Sequence, residues 1–448
     1  MPLLAIILCS RYWNRPFHLL QDTEVDFLDT TRSFRVVVED YAVERRKTWR
    51  YEVNVLPSGA HAYLYIQKDS LKQMPQMGDT LGIYTTFRRG GRLGKFDYGT
   101  YLRLQGIMGS GYVRSEQWQI VAPHQPTWSD KWNARRWQRA AYRRYQELGI
   151  TGEELGTLAA LTLGYKEDLD SDLRQSFQRA GAAHILAVSG LHTGIVYGIV
   201  LWLITGFGLF PALYKQRRRQ YLQFMGVVSI MVAYAALTGW SPSVVRSVVM
   251  VALVELARCW HRQPISMNTL IAAAFFILCF RPGDLFSVSF QLSFAAVAAI
   301  ITLVPMLNQL FPTPPYHSWG RAAHYMRDLV TFSLAAQLGT LPIALHYFSQ
   351  TSNYFLLTNL LVIPLTTLLV MGAIVVIIGG GIPVIGSILV MGEKGLCQVL
   401  NHSVRWVESL PHATTSATLP WAGVGCMYAI LIAFTILLHY GTRETPQK

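Results

Sequence analysis

Two patterns of hydrophobicity divide this chain. From residue 22 to about 122, apolar and polar side chains alternate, and from about 155 to 439 long runs are apolar throughout. Alternation places successive side chains on opposite faces of a strand. The stretches "SFRVVVEDYAV", "TWRYEVNVL" and "AYLYIQ" show it and are rich in β-branched and aromatic residues, so each predicts a strand. Gly78 and Asp79 in "MGDTLGIYTTF" set a turn before a further strand, and "RRGGRLG" predicts a flexible basic loop. "YLRLQGIMGSGYV" predicts a short helix followed by a last strand. A handful of short strands of this kind predicts a small barrel, OB-like in type.

The second pattern gives apolar segments at 155–165, 184–210, 221–238, 243–257, 266–280, 285–307, 328–346, 353–378, 383–400 and 421–439. Several reach about 20 residues, the length of a spanning helix. Others are short or interrupted by Gly, Pro or Ser, as where membrane helices break around a cavity. The predicted fold is a polytopic α-helical membrane protein with an N-terminal soluble OB-like β-barrel domain. Its divisions are a short apolar leader or helix stump at 1–21, the β domain at 22–122, a basic amphipathic linker helix at 123–150, a transmembrane domain at 151–441 and a polar tail at 442–448. The apolar run in "MPLLAIILCSRYW" is too short to span a bilayer and lacks the basic region and cleavage site of a signal peptide. In the linker, Trp132, Trp137 and Ala141 fall near one side, and Arg135, Arg136, Arg139, Arg143 and Arg144 dominate the rest. Such a helix fits a lipid interface and fits a solvated connector equally well.

Composition adds a direction. Of 448 residues, 51% are hydrophobic and 15% charged, yet the net charge is +13, which points to a membrane protein facing something anionic. The five cysteines include no C-x-x-C pair, so neither a zinc motif nor a disulfide framework is expected; Cys259, Cys279, Cys397 and Cys426 read as small buried hydrophobes. The basic loops "YKQRRRQ", "ARCWHRQP" and "PTPPYHSWGRAAHYMRD" all fall on one side when crossings are counted, and that side should be cytoplasmic. "LTGWSPS", "FRPGDLFS" and "YFSQTSN" fall opposite, with Arg281 as the main exception, and the β domain is then extracytoplasmic.

Four stretches carry candidate chemistry. "HILAVSGLHTGIV" places His184, Ser189, Gly190 and His192 in an apolar run. Ala187 and Leu191 occupy the glycine positions of a G-x-S-x-G nucleophile elbow, which excludes that hydrolase. Eight residues of straight helix separate the histidines by about 12 Å, too far for one metal. A helix broken at Ser189-Gly190 and lining a pore is preferred over a histidine pair bonded between packed helices. In "LTGWSPSVVRSVVM", Ser241 reads as an N-cap, Pro242 as a first-turn residue, and Arg246 as either a snorkelling side chain or a cation facing a path for phosphates. Gln291 and Gln337 lie in apolar runs, where interhelical bonding is the readier reading of each alone, as for Asn268, Asn359 and Pro364. In the β domain, Trp49, Tyr51, Tyr63, Tyr65, Tyr84 and Phe87 alternate with Arg45, Arg46, Lys47, Arg50, Arg88, Arg89, Arg92 and Lys95. Aromatics with a basic rim are how OB folds hold single strands, although half of these aromatics should be core. No metal site, cofactor or ATP-binding G-x-x-x-x-G-K-[ST] loop is expected.

Taken in order, these stretches resemble the ComEC family of competence proteins, the inner-membrane channels for imported DNA. "FDYGTYLRLQGI" is similar to the end of the family's periplasmic OB-type domain and "FQRAGAAHILAVSGLHTGIV" to its most recognisable motif. "LTGWSPSVVRSVVM", "SMNTLIAAAFFILCFRPGDLFSVSFQLSFAAV" and "AAQLGTLPIALHYFSQTSNYFLLTNLLVIPL" resemble successive blocks of its transmembrane competence domain. The resemblance implies a non-enzymatic channel, in a bacterial cytoplasmic membrane, for uptake of single-stranded DNA in natural transformation. It implies single-stranded DNA, the lipid bilayer and cytoplasmic motor or DNA-handling proteins as partners, with room for a separate nuclease. His184, Ser189, Gly190, His192, Ser241, Pro242, Arg246, Gln291 and Gln337 are expected along the path. The H-x-H-x-D-H motif of the family's metallo-β-lactamase-like domain does not occur here, and only "MPLLAIIL" stands where family members carry membrane helices before the β domain. The alternatives are a transporter of another anion or a lipid, without DNA binding, and a membrane enzyme using His184 and His192 with a metal.

Overall fold

The computed structural model describes residues 28–45, 47–69, 73–93, 96–97, 99, 102–103, 106–124, 134–206, 216–261, 266–311 and 318–443. The chain divides into two units between Arg136 and Trp137.

The first unit is a sheet. Its strands are β1 (Thr31–Val38), β2 (Val43–Glu44), β3 (Thr48–Leu56), β4 (Ala60–Gln67), β5 (Thr80–Thr86), β6 (Arg92–Leu93), β7 (Phe96–Asp97), β8 (Ile107–Val113) and β9 (Trp118–Ala122). The main sheet runs β8-β4-β3-β1-β5-β9, with β2 on β3; β4 and β8 are parallel and the other pairs antiparallel. Alternation sorts the side chains as the period of two requires. Phe34, Val36, Val38, Tyr51, Val53, Val55, Leu64, Ile66, Leu81 and Ile83 point into one core, where the rings of Phe34 and Phe87 meet edge to face. Two of the predicted aromatics, Tyr51 and Phe87, are thereby core residues.

The sheet is not a closed barrel, as the alternation had predicted. Its ladder ends at β8 and β9, and one isolated bridge, Arg88 to Ser110, joins the chain beyond β5 to β8. That bridge exchanges two backbone hydrogen bonds of 2.9 Å, fewer than a continuous ladder needs. It depends on two glycines. A Cβ at Gly109 would stand 2.7 Å from Leu28 and 3.0 Å from the Arg88 carbonyl oxygen, and one at Gly111 would stand 3.0 Å from the Phe87 ring. The expected flexible loop also contains structure, since β6 pairs with β7.

The second unit is helical: α1 (Ala134–Glu147, whose first residues precede the division), α2 (Gly152–Leu163), α3 (Ser171–Arg179), α4 (Ala183–Leu186), α5 (Gly190–Gly206), α6 (Gln216–Leu237), α7 (Pro242–Cys259), α8 (Met267–Phe280), α9 (Val288–Leu310), α10 (Ser318–Phe348), α11 (Phe355–Gly379), α12 (Ile385–Glu408) and α13 (Trp421–Arg443). A short ladder of β10 (Gln350–Ser352) and β11 (Thr414–Ser416) joins two of the connections. Among the described residues, four helical stretches are long and apolar enough to cross a membrane: Arg219–Leu237, Val288–Leu310, Gly320–Phe348 and Phe355–Gly379. Gly190–Thr205, Met267–Phe280 and Trp421–Leu437 are apolar but shorter. Phe275, Ile378 and Leu437 are 70% exposed or more, as lipid-facing side chains are in the absence of lipid.

Not every apolar run becomes such a span. The run at 155–165 forms α2, buried along its whole length from Leu155 to Leu163 against α11 and α12. α1 is not a bare amphipathic helix: Tyr145, Ala141 and Tyr142 pack against that core, and Gln138 Nε2 donates to the Leu163 carbonyl at 2.6 Å. Burial pushes the Tyr145 hydroxyl far above the usual phenol range, while Thr162, 3.1 Å away, partners it. Cys259 and Cys397 are buried as expected, but Cys279 and Cys426 are exposed, because they lie on the outward faces of α8 and α13.

Gly111→Val should destabilise the β unit by about 1–3 kcal/mol through overpacking. Hydrogen exchange should then speed up at the Arg88 and Ser110 amides and stay unchanged in α11 and α12.

Candidate functional site

On the outward face of the sheet, β3, β4 and β8 lie side by side. Their registers place Arg50 opposite Tyr65, and Tyr65 opposite Tyr112. Arg50, Tyr65 and Tyr112 thus form a row across three strands. Tyr112 is 50% exposed, and its hydroxyl donates to Gln67 Oε1 at 3.4 Å. The Arg50 guanidinium lies 4.7 Å from the centre of the Tyr63 ring, and Lys68 lies 5.0 Å from that of Trp49 while ion-pairing with Glu44. Arg45, Lys47, Arg88 and Arg89 are exposed. Arg46 and Lys95 fall outside the described residues, and of Arg92 only the backbone is described. The sequence reading missed Tyr112, because its place beside Tyr65 follows from a parallel pairing of distant strands.

In the helical unit, the segment "HILAVSGLH" breaks. α4 ends at Leu186, residues 187–189 are non-helical, and α5 begins at Gly190. Ser189 stands at the N-cap position of α5, and its carbonyl accepts from the Thr193 amide at 3.1 Å. Its own amide donates back to His192 Nδ1 at 3.2 Å, and its hydroxyl lies 2.9 Å from the same nitrogen. This is half of a capping box with histidine at the third helical position. Nδ1 accepts the amide proton, so the imidazole is the Nε2–H tautomer. His192 is fully buried, and Nε2 has no partner among the described residues. A Ser–His contact of this length resembles a nucleophile with its base, but Nδ1 is already engaged by the Ser189 amide, and among the described residues no carboxylate bonds to the ring. In this structure the ring caps α5. His184 lies on α4, and its Nδ1 contacts the Gly181 carbonyl at 3.2 Å. Among the described residues, no group of three metal-competent side chains occurs in this unit.

The broken end abuts α7. A Cβ on Gly190 would lie 3.4 Å from Ser247 Oγ. The neighbouring Arg246, only 3% exposed, crosses to α9, where Nη2 donates to the Ser289 carbonyl at 3.0 Å and to its hydroxyl at 2.7 Å. Arg246 therefore does not snorkel, and its fork is half occupied by protein. Gln291, two residues beyond Ser289, donates to the Leu285 carbonyl, and its Oε1 is buried without a partner among the described residues. A polar seam thus runs from Ser189 and His192 through Ser247 and Arg246 to Ser289 and Gln291. Gln337 is engaged elsewhere, donating to Thr351 Oγ1 at 3.4 Å. Pro242 occupies the first turn of α7 as predicted, whereas Ser241 stands at the N-cap position without a side-chain capping bond.

Two further motif blocks meet at Ala180. Its carbonyl accepts from Ser352 Oγ at 3.0 Å and Thr358 Oγ1 at 2.7 Å, and Gly181 beside it holds a φ of +85° with Ser352 packed where a Cβ would stand. Sequence reasoning also passed over Glu255 and Glu393, both buried. Glu255 is satisfied by Tyr197 and by Arg258 at 2.7 Å. The signal available for both was a lone acid in an apolar run, "VALVELARC" and "VMGEKGL".

Ser289→Ala should remove one of the two acceptors of Arg246. A hydrogen bond to a charged group contributes about 1.5–3 kcal/mol, so the midpoint of thermal unfolding in detergent should fall, and Ser289→Thr should restore it.

A family profile described as "Competence protein" matches residues 161–442, which include the break, the Arg246–Ser289 crossing and the Ala180 junction. ComE operon protein 3 of Bacillus subtilis is 29% identical over 216 residues, 48% of this chain and 25% of that protein. The uncharacterised protein YcaI of Escherichia coli is 25% identical over 269 residues, 59% of this chain and 34% of that protein. Competence protein ComA of Neisseria gonorrhoeae is 29% identical over 174 residues, 38% of this chain and 25% of that protein. The matches thus span between 25% and 34% of these relatives' lengths. No solved structure matches the chain. With its profile match extending over most of the helical unit, the chain belongs to the ComEC family of competence proteins.

Proposed function

We propose that this chain conducts single-stranded DNA across a bacterial cytoplasmic membrane in natural transformation, with the β unit as an extracytoplasmic, OB-like capture module. Family membership and the relatives named as competence proteins support the DNA uptake role. The observation that carries the capture step is the row Arg50, Tyr65 and Tyr112, bordered by Tyr63. Aromatic rings accept bases of any sequence, and the basic residues around them attract the phosphates. The OB-like reading is supported by strand order: β8-β4-β3-β1-β5 with a parallel β4–β8 pair, and a bridge that turns β5 back towards β8. An OB fold is itself a partly open five-stranded Greek-key barrel.

In this reading the polar seam in the helical unit shapes the path. The break at 187–189 supplies backbone polar groups at a depth where continuous helices offer none. Arg246 acts chiefly as the strut between α7 and α9 that holds the seam in place. The basic loops support a cytoplasmic position for their own side and an extracytoplasmic one for the β unit. The proposal assigns the chain no catalytic step. Motor and DNA-handling partners on the cytoplasmic side supply the energy, and any nuclease acts as a separate partner.

Fluorescent oligonucleotides titrated against the full chain in detergent, over a salt series, test the proposal. Affinity for single strands should fall with salt, with a log–log slope of about 0.7 per phosphate contacted. Tyr112→Ala should weaken binding by about 1–3 kcal/mol and lower transformation frequency with membrane insertion unchanged. Absence of binding at low salt would move the chain to the alternative, a transporter of another anion or a lipid.

A further inference from the structure

Glu393 on α12 is a buried titratable group that the polar seam does not use. It is 3% exposed, and its Oε1 is buried with no hydrogen-bond partner among the described residues. Its place is set by a glycine on the facing helix. Residues 380–384 join α11 to α12, and the β10–β11 ladder ties their far ends, so the two helices pack as a hairpin. A Cβ at Gly372 of α11 would collide with Glu393 Oε2. The carboxyl therefore fills the slot that Gly372 leaves against the backbone of α11. α12 itself is not among the stretches long and apolar enough to cross a membrane.

Among the described residues, no cation accompanies the carboxyl. α11 carries no titratable side chain from Phe355 to Gly379. From the other elements, Tyr145 of α1 and Cys397, one turn along α12, lie within electrostatic reach of Glu393. Thr162 partners Tyr145, and behind these groups stand Tyr234 of α6 and Glu154 of α2. The cations of the packed helices are engaged elsewhere. Lys394 acts on Glu154, Arg144 and Arg179 pair with Glu147 and Glu408, and Arg405 pairs with Glu153. A carboxylate without a cation or donors is costly in a dry core, whereas the neutral acid leaves only weakly polar groups unmatched. We propose that Glu393 is a proton-binding latch between α11 and α12. The protonated carboxyl fills the Gly372 slot, and release of the proton to solvent drives the carboxylate out and parts the helices there.

The latch sits where the core of the helical unit divides. Thr157 of α2 is bonded to Asn401 of α12, and the Ala180 junction is bonded to Thr358 of α11. Parting α11 from α12 at Glu393 therefore separates two sets of contacts. Burial pushes the Glu393 carboxyl up from the ordinary carboxylate range to about 8. The folded chain thus holds this proton more tightly than the unfolded chain. Below the ordinary range both states are protonated, and the stability is fully present. As pH rises towards about 8 the unfolded chain ionises first, and the folding equilibrium falls about tenfold per pH unit.

The test compares the full chain in detergent, without DNA, with its Glu393→Gln variant, which keeps the shape of the neutral acid. The infrared difference between the two at neutral pH should contain the C=O band of a protonated carboxyl in the parent chain. Chemical unfolding across the same pH range should show the parent losing about tenfold per pH unit relative to the variant. Above a pH of about 8, amide hydrogen exchange around Gly372 and Glu393 should run faster in the parent than in the variant at the same pH. No carboxyl band in the difference, unfolding equilibria that stay parallel with pH, or equal exchange in the two chains at high pH would each overturn the proposal.

Discussion

Inside an apolar helical unit, a backbone that leaves the helix must find partners for its freed polar groups within the protein, because lipid offers none. At residues 187–189 the chain does this, and the surrounding structure depends on it. His192 closes the gap by turning Nδ1 back to the amide of Ser189. The cap commits the ring to one tautomer and directs Nε2–H into the protein. It also starts α5 at Gly190, beside Ser247 of α7. From there Arg246 reaches α9. A single interruption thus organises the contacts of three helices.

The same rule explains the other polar groups at depth. Ala180, in the turn between α3 and α4, offers a carbonyl that two hydroxyls from the 350–358 stretch satisfy. Thr157 on the wholly buried α2 donates to Asn401 on α12 at 3.1 Å. Glu255 is matched by Arg258 and Tyr197. Each pair joins segments far apart in sequence. Packing against lipid provides little hydrophobic drive between helices, so bonds of this kind and close contacts at small residues set which helices are neighbours.

The β unit obeys a different economy. Its core side chains alternate with outward-facing polar and aromatic ones. What distinguishes it is close backbone approach: Gly109 and Gly111 let Leu28, Phe87 and Arg88 lie against β8. That approach completes the curvature that brings β8 alongside β4 and sets Tyr112 next to Tyr65. The stacking row lies on the outward face of this hairpin region and is a product of strand register.

Much of this was legible in the sequence because it is local. Alternation located β1, β3, β4, β5 and β8, and apolar runs located most of the helices. The Ser189-Gly190 dipeptide marked the break, since serine caps and glycine offers no side chain to oppose it. Other features had no local signature. The run at 155–165 looked like a membrane segment, yet α2 is a core helix, because its neighbours α11 and α12 arrive from two hundred residues away. Arg246 read as a snorkelling side chain or a cation facing a path for phosphates, and its bonds to Ser289 come from a separate helix. Tyr112 acquired its neighbours only through pairing of separate strands. The sequence by itself determined which segments are helix, strand or break, because those follow from the spacing of side chains along one segment. Only the tertiary structure decided which polar groups face one another, because that depends on packing and register between segments that the chain order does not place together.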